Sequence, residues 1–579
     1  MKRTFLALAL LVCVAAPLRS QYLNADLDFE QTKGQYRVWW NVMQADTTST
    51  IRLDSQRVFS GKSSLQLKNS GMASQSGLYV YLPYSLFAGK TCEISLQMRK
   101  EYDSTKVLLA NISLLGSAQT LDSLKPVGKK DKRGWQKYTV SQMISTAKTS
   151  LILYFSHSQP GSVWLDNVEI RLNGKLYIPT VFRSPTPDQT TWIQQHFIPL
   201  QFTKPQADTF SDLAPLRSII GEAELVGLGE CNHGTQEFYH LRHRICEYAV
   251  SNLGFTTIAL ENSSFIGTNL LNRYVSGENV NPKEAIDSSG YFTTQEFIDF
   301  ATWARTYNQT SNKKIRFIGI DLSDPIERFY RPLSYSLKTL DSSWFAGIQA
   351  GIVARKDSVP TLEEAKLILN HLNTHAEKFG SVVSARQLEY IKATVTQMMQ
   401  AIAIAPMYQN PEANAGAYRD SCMAANLLWT KQYFQDGKIL VWSHNAHLMT
   451  WAAKRNMGWH LRKALQDKYL PISFTFYEGE YRAWKRVEGK SKFIANSAGT
   501  PEPGTIEWAI KAAVPKASCG ILDFRQGEKT PEWTRDVLFM RDAGVRYTPY
   551  QFAEFPLCEA VEVLVYVTKS TPTDSFWGR

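Results

Sequence analysis

Cysteine is scarce: seven residues in a chain of 579 are too few for a disulfide scaffold. Beyond the first twenty residues, no apolar stretch approaches the ~18 residues that a membrane span requires. The chain has no Gly-x-Ser-x-Gly, so a serine nucleophile elbow is excluded. It also lacks His-Glu-x-x-His and a Walker loop, which removes the commonest zinc-protease and nucleotide-hydrolysis readings. No internal repeat or low-complexity tract stands out. The 44% hydrophobic, 12% aromatic and 20% charged content is that of a globular protein, not of a disordered, collagenous or coiled-coil chain. Because a single core rarely grows beyond roughly 250–300 residues, at least two domains are expected.

What is present begins with charge, 64 Lys+Arg against 53 Asp+Glu, a net +11. Lys2 and Arg3 precede an apolar run from Phe5 to Pro17, followed by Leu18, Arg19 and Ser20. This is the pattern of a secretory signal over residues 1–20. Val12 before Cys13 does not fit a lipobox, so ordinary cleavage and export to the periplasm or the extracellular space are expected. Export permits disulfides among the remaining cysteines, although their spacing names no pairing.

Residues 21–175 read as β structure throughout. Short alternating runs such as Ser64–Leu67, Cys92–Met98, Trp135–Val140 and Ser162–Ile170 are separated by Gly, Asn, Asp and Ser, which predicts a β-sandwich. The segment opens on Asn24…Asp28-Phe29-Glu30 and Val58-Phe59-Ser60-Gly61-Lys62-Ser63-Ser64-Leu65. It closes on Gly134-Trp135-Gln136-Lys137-Tyr138 and Val163-Trp164-Leu165-Asp166-Asn167-Val168. In these residues it resembles a galactose-binding-like jelly roll of the carbohydrate-binding-module type. The resemblance implies glycan binding by stacking of sugars on aromatics, for which Trp39, Trp40, Tyr79, Tyr81 and Trp135 are candidates. A spacer sandwich with those rings in its core is the alternative.

Residues 176–205 are punctuated by Pro179, Pro185, Pro187, Pro199 and Pro205 and read as a linker. From 206 to 579 the pattern changes. Apolar β-branched runs alternate with helical periodicity, the mark of an α/β domain, with a mostly parallel sheet and a large helical region at about 326–435. Four segments share one layout. Leu225–Leu228 leads to Gly229-Glu230-Cys231-Asn232-His233-Gly234-Thr235, Thr256–Leu260 to Glu261, Ile315–Ile320 to Asp321, and Lys438–Trp442 to Ser443-His444-Asn445-Ala446-His447. As parallel strands they would bring these groups to one carboxyl edge, where α/β folds place ligands.

A histidine beside a carboxylate is a general base for water. The same donors, Glu230, His233, Glu261 and His444, could instead hold a divalent metal, and sequence leaves both readings open. After Thr235, Phe238, Leu241, Ile245 and Ala249 have core spacing on a helix, which sets Arg242 beside the core stripe and able to reach back to the strand ends. His240 and His243 flank it and also read as polar-face residues. Gly227-x-Gly229 is not a dinucleotide fingerprint, because Asn232 occupies the third glycine position and Glu230 would repel a pyrophosphate. Cys231 reads as a small residue packed behind a strand.

At this point a family resemblance is plain. It runs through Gly227-Leu228-Gly229-Glu230-…-His233-Gly234-Thr235-Gln236-Glu237-Phe238, Arg242 and Leu260-Glu261. It continues through Arg419-Asp420-…-Met423-Ala424-…-Asn426, Val441-Trp442-Ser443-His444-Asn445-Ala446-His447 and Met457-Gly458. Over roughly residues 200–570 the chain resembles the erythromycin esterase family. The resemblance implies that His233 activates water for attack on an ester carbonyl, with macrolide resistance as the family's known setting. It implies that Glu230, Arg242, Glu261, His444 and His447 orient that base, stabilise charge or contact substrate. Asp321 is a further substrate-binding candidate. No cofactor is required on this reading, and a divalent metal is the alternative. Cys231 and Asn232 depart from the small residue and Thr common in the family, as do the leader and the fused sandwich, which bears on substrate more than on chemistry.

The expected function is an exported hydrolase acting on a small-molecule carboxylic ester, a macrolactone or another. The alternatives are a metal-dependent hydrolase of a glycan-linked ester, and a glycan-binding surface protein with a silent esterase-like domain. Residues 21–175 hold 19 Lys+Arg against 12 Asp+Glu. The basic excess therefore sits in the sandwich, with a cluster at Lys129, Lys130, Lys132 and Arg133. An exported protein would not ordinarily meet nucleic acid, so the cluster reads as a solvated loop, with electrostatic attraction of the module to an acidic glycan or cell envelope as the alternative.

Overall fold

The computed structural model describes residues 21–576 other than 26, 28, 31–37, 45–48, 70–75, 83–86, 88, 102–109, 113–117, 121–124, 145–150, 158–159, 178–184, 206–209, 290–292, 411–412, 436, 452–454, 488–489, 502, 527–531, 536 and 548–550. The expected leader, residues 1–20, lies outside the described residues.

The N-terminal region contains β1 (Gln21–Ala25), β2 (Val38–Gln44), β3 (Thr50–Asp54), β4 (Ser64–Asn69), β5 (Ser76–Leu82), β6 (Thr91–Lys100), β7 (Ala110–Ile112), β8 (Ala118–Thr120), β9 (Lys125–Val127), β10 (Trp135–Met143), β11 (Leu151–His157), β12 (Gly161–Leu172) and β13 (Lys175–Tyr177). The cause is visible in β6, where Cys92, Ile94, Leu96 and Met98 are buried and alternate with partly exposed Glu93, Ser95 and Gln97, a period of two. One sheet runs β1-β2-β5-β11 and a second runs β3-β4-β12-β6-β10-β9 with β13 on β12. Leu78, Leu153 and Phe155 of the first share one core with Leu65, Leu96, Met98 and Leu165 of the second.

The residues that carry the module resemblance hold this region together. The Asp166 carboxylate accepts from the backbone N–H of Phe59 at 2.7 Å and of Ser60 at 3.3 Å. Glu30 accepts from the backbone N–H of Lys62 and of Ser63. Trp135 is only 2% exposed and packs edge-on against Phe59, so it is a core ring and not a stacking platform. The side chains of Trp39, Trp40, Tyr79 and Tyr81 lie outside the described ones. The basic residues 129–133 occupy an exposed turn, where Arg133 caps the carbonyls of Val58 and Phe59 and pairs with Asp131.

The stretch expected as a linker is partly folded onto the next unit. Pro187 begins the helix Pro187–His196, where its missing N–H costs nothing, and Thr186 and Gln189 close a capping box. Ile193 of that helix is buried among Ile506, Ile510 and Leu522, and β14 (Ile198–Pro199) adds to the large sheet.

That sheet comprises β14, β15 (Leu225–Leu228), β16 (Phe255–Leu260), β17 (Arg316–Gly319), β18 (Lys438–Trp442), β19 (Tyr469–Val487), β20 (Lys490–Ala498), β21 (Cys519–Asp523) and β24 (Val563–Ser570), with β22 (Val537–Arg541) and β23 (Phe552–Pro556) as a separate hairpin. Its order is β14-β21-β24-β19-β15-β18-β16-β17, with β20 on β19. The pairs β15/β18, β15/β19, β16/β18, β16/β17 and β19/β24 are parallel, whereas β14/β21, β21/β24 and β19/β20 are antiparallel. Every residue of β15 and β16 is buried, as expected of strands covered on both faces.

Val226, Leu228, Ile258 and Trp442 face the helices Gln236–Leu253 and Gln295–Thr310. Leu225, Ala259, Ile439 and Val441 face the helices Ala385–Ile404 and Ala415–Tyr433. The region 326–435 is helical among the described residues, and two of its helices start at capping boxes, Thr361/Glu364 and Ser384/Gln387. No helix among the described residues is long and apolar enough to cross a membrane.

Trp442 at the end of β18 stacks on Phe300, with ring centroids 4.5 Å apart at 15°, and lies 4.5 Å beneath the Arg242 guanidinium. This layer is the floor under the strand ends. Phe300→Ala is expected to destabilise the protein by about 3–5 kcal/mol, measured as a lowered urea midpoint.

Candidate active site

The four strand ends are level because the parallel register pairs Leu228 with Trp442, Leu260 with Trp442, and Leu260 with Gly319. Glu230, Glu261, Asp321 and His444 therefore emerge at one edge. All four are buried, with His233 beside them at 7% exposure.

Glu230 is gripped from two sides. One oxygen meets His233 Nδ1 at 2.8 Å and the other accepts from Arg242 Nη2 at 2.8 Å. Arg242 reaches it from the helix Gln236–Leu253, with its guanidinium between the rings of Tyr239 and Trp442. Burial by itself would raise the Glu230 carboxyl, but Arg242 and His233 hold it below the ordinary carboxylate value. The turn that presents the pair needs glycine by space. A Cβ on Gly229 would stand 2.1 Å from Asn445 Oδ1, and one on Gly234 would stand 2.1 Å from the Arg482 carbonyl oxygen. Asn445 in turn exchanges hydrogen bonds with both backbone groups of Phe474 and donates its own N–H to the Glu230 carbonyl, which locks the 229–233 turn to the 443–447 turn.

Glu261 belongs to a second network. One oxygen accepts from Ser443 Oγ and from the His444 backbone N–H, both at 2.7 Å. The other lies 3.0 Å from Arg419 Nη2 and 3.2 Å from His447 Nε2. Arg419 also forks onto Asp321, Nε to Oδ1 at 2.7 Å and Nη2 to Oδ2 at 2.6 Å, a strong bidentate geometry. Burial raises both carboxyls, but His447 and Arg419 bring Glu261 well below its usual value, and Arg419 brings Asp321 down. Glu261 thus shapes the 443–447 turn.

The two histidines of the His-x-x-His differ in kind. His447 Nδ1 meets Asp420 at 2.5 Å, while its Nε2 faces Glu261 and, at 2.9 Å, Arg419 Nη1. Burial opposes its protonation, but the two carboxylates prevail over one guanidinium and raise it to about 10. His447 is therefore driven toward the charged form. His444 caps the short helix Asn445–Leu448, its Nδ1 accepting from the Ala446 N–H at 3.2 Å. Burial pushes its pKa down. Its ring centroid is 5.4 Å from that of His233.

His240 and His243 are not gathered here. His243 packs on Phe300 and Trp303 beside Glu247, and burial lowers His240 to about 4. Cys231 is fully buried in the core. A cavity of about 880 Å³ opens at the start of β17, lined by Lys314, Arg316, Tyr390 and Tyr433, away from these groups.

Three residues of the site carry no role in the sequence reading: Arg419, Asp420 and Asp542. Asp542 approaches His444 Nε2 at 3.2 Å from the chain that follows β22. Arg419 and Asp420 were visible only as part of the family resemblance, and Asp542 has no motif around it.

The donors do not suit a divalent cation. Each oxygen of Glu230 and Glu261 already faces an N–H, a hydroxyl or a cation, and Arg242, Arg419 and protonated His447 surround them. Among the described residues no group of three or more His, Cys, Asp or Glu is arranged to hold a metal ion.

The erythromycin esterase family profile matches residues 250–570. The chain belongs to the erythromycin esterase family. It is 26% identical over 372 residues to erythromycin esterase type II of Escherichia coli, covering 57% of this chain and 87% of that protein. It is 22% identical to the putative hydrolase YbfO of Bacillus subtilis, covering 56% of this chain and 78% of that protein. A crystal structure of a Bacillus cereus protein superposes with a TM-score of 0.59 over 68% of this chain and all of the other, at 23% identity. As a member of the family the protein is a hydrolase acting on ester bonds.

Because its folded pKa is raised, protonated His447 contributes stability that is complete below the ordinary histidine value near 6.5 and is lost as pH rises through about 10. Unfolding free energy should therefore fall between those pH values. His447→Asn should flatten that slope, measured by urea denaturation at pH 6, 8 and 10.

Proposed function

We propose that this erythromycin esterase family member hydrolyses a carboxylic ester, a macrolactone or another small-molecule ester, with water activated by His233. The observation that carries this is the Glu230–His233 pair. Nδ1 faces the carboxylate at 2.8 Å, so that nitrogen holds the proton and Nε2 carries the lone pair that accepts one from water. Glu230 fixes the tautomer and stabilises the imidazolium that forms, and Arg242 keeps Glu230 ionised and aimed.

The attack then proceeds in two steps. As the water proton passes to Nε2, the water oxygen bonds to the ester carbonyl carbon and an oxyanion develops. On collapse the carbonyl re-forms, the bond to the alcohol oxygen breaks, and His233 returns the proton to the alkoxide. Glu261, Arg419, Asp321 and His447 hold the 443–447 turn and the adjoining wall in place, with Asp321 acting through Arg419.

On this reading the protein is exported by residues 1–20. The jelly-roll-like region 21–175 holds the enzyme at a glycan or cell envelope through its basic surface, which the exposed residues 129–133 support. A metal-dependent reaction is disfavoured by the cations packed on each carboxylate, and a silent domain is disfavoured by the intact Glu230–His233–Arg242 set.

His233→Ala should lower kcat/KM by about 10²–10⁴-fold with an unchanged melting temperature, read on a panel of macrolides, acylated glycans and simple esters. Full retained rate on a confirmed substrate would refute water activation by His233. Turnover by wild type should also persist after treatment with a chelator and dialysis, and loss that is restored by a divalent ion would establish the metal reading instead.

A further inference from the structure

The far end of β17 carries a feature that the strand-end chemistry does not use. Asp321 lies just past the carboxyl end of that strand, whereas the cavity of about 880 Å³ opens at its start. Its volume falls within the roughly 300–1,000 Å³ of small-molecule sites. β17 is the last strand in the sheet order, and an open sheet edge ordinarily invites an added strand. Here that reading fails. Asn272 exchanges hydrogen bonds with the N–H and the carbonyl of Phe317, at 2.8 and 2.7 Å. Asn308 does the same for Ile315, at 2.6 and 2.8 Å. The outward backbone groups of these residues are taken, so an occupant of the cavity is recognised through side chains.

Those side chains carry charge of one sign. Lys314 and Arg316 line the cavity beside Gln387 and Ser336, and no Asp or Glu is among the described residues that line it. Arg316 lies two residues before Ile318, which packs toward the helices Ala385–Ile404 and Ala415–Tyr433, so the strand period sends its side chain to the same face. There its guanidinium lies 4.5 Å over the Phe434 ring, and Arg386 adds a further positive charge 4.9 Å over Tyr433. The aromatic wall is fixed. Tyr390 donates to the Phe265 carbonyl at 2.8 Å and Tyr433 to the Arg386 carbonyl at 2.9 Å, while Trp429 stacks on Tyr433 with centroids 4.7 Å apart at 19°. Both hydroxyl protons are committed to backbone, so the two rings offer the cavity flat apolar surface. We infer that this cavity is a second binding site, separate from the hydrolytic centre, for a small carboxylate with a flat apolar face. The anion meets Lys314 and Arg316, and the flat face lies on Tyr390 and Tyr433. A planar carboxylate pairs edge to edge with the guanidinium fork while the body attached to it continues onto the rings. Two kinds of molecule share that chemistry, an acidic sugar and an aryl acid.

The assignment is independent of how the ester is cleaved, and its test reads binding. Full-length protein titrated calorimetrically with digalacturonate and with naphthoate should bind at least one of them with a Kd below about 1 mM. The neutral counterparts, galactobiose and naphthamide, should bind at least about tenfold more weakly. Arg316→Gln removes the guanidinium fork. Thr339→Trp, at an exposed position of the helix Ile326–Leu340 on the cavity lining, fills the space and leaves every charge in place. Each should weaken the bound carboxylate by at least about tenfold, with the melting temperature and esterase rate of wild type. Should Arg316→Gln lower the melting temperature, Lys314→Gln repeats the charge test at an exposed position. Binding of digalacturonate alone would make the ligand an acidic sugar, and binding of naphthoate alone an aryl acid. No binding of either acid, equal binding of the neutral counterpart, or an affinity unchanged by Thr339→Trp or by loss of the cation would overturn the assignment.

Discussion

Buried carboxylates at one edge of a sheet are the constraint from which the site follows. Glu230, Glu261 and Asp321 end three parallel strands with almost no solvent around them, where an unpaired charge would cost several kcal/mol. Each is ionised because a cation has been brought to it from elsewhere in the chain. Arg242 comes from the helix after β15 and Arg419 from the helical region. The Arg419 contacts are also tertiary structure: one guanidinium joins the ends of β16 and β17 to the helix Ala415–Tyr433. The helical region is thereby fastened over the strand ends by the same charges that complete the site.

The sheet edge and its residues were readable because they are local. A run of four to six apolar residues followed by a carboxylate or histidine is a pattern within one window, and the parallel arrangement converts four such windows into one place. Arg242 was readable for a similar reason, since helical spacing set it beside the core stripe at a fixed distance from Glu230. Arg419 was not. It joins Asp321 across 98 residues, and a helix arginine of this kind is indistinguishable by spacing from a solvated one. Asp542 was further out of reach, because a bridge between Asn232 and Gly544 places it, and such a bridge leaves no periodicity behind. The sandwich strands followed from alternation as clear as that of β6. The aromatic residues were ambiguous for the opposite reason, since alternation alone does not separate a ring that meets sugar from one that meets Phe59, as Trp135 does.

The proline-rich stretch before the α/β unit illustrates a different limit. Proline frequency reads as a break in structure, and at 187 the same residue begins a helix. What distinguishes the two cases is Ile193, whose burial against residues more than 300 positions later supplies the energy that short-range composition does not show. The connector is therefore shorter than its composition suggests.

The His-x-x-His shows how one turn sets two protonation states. His444 and His447 lie three residues apart and share Glu261, one through its backbone N–H and the other through its ring. His447 has carboxylates at both nitrogens and is driven toward the charged form. His444 has an amide N–H at Nδ1, and burial drives it toward the neutral form. Pairs of titratable groups whose surroundings push them apart mark a division of chemical labour. Here the surroundings drive His447 toward the charged form and His444 toward the neutral one, while His233 meets the Glu230 carboxylate through Nδ1. Exchanging any of these surroundings for another would change the role of the ring without changing the residue, which is why the motif by itself could not assign them.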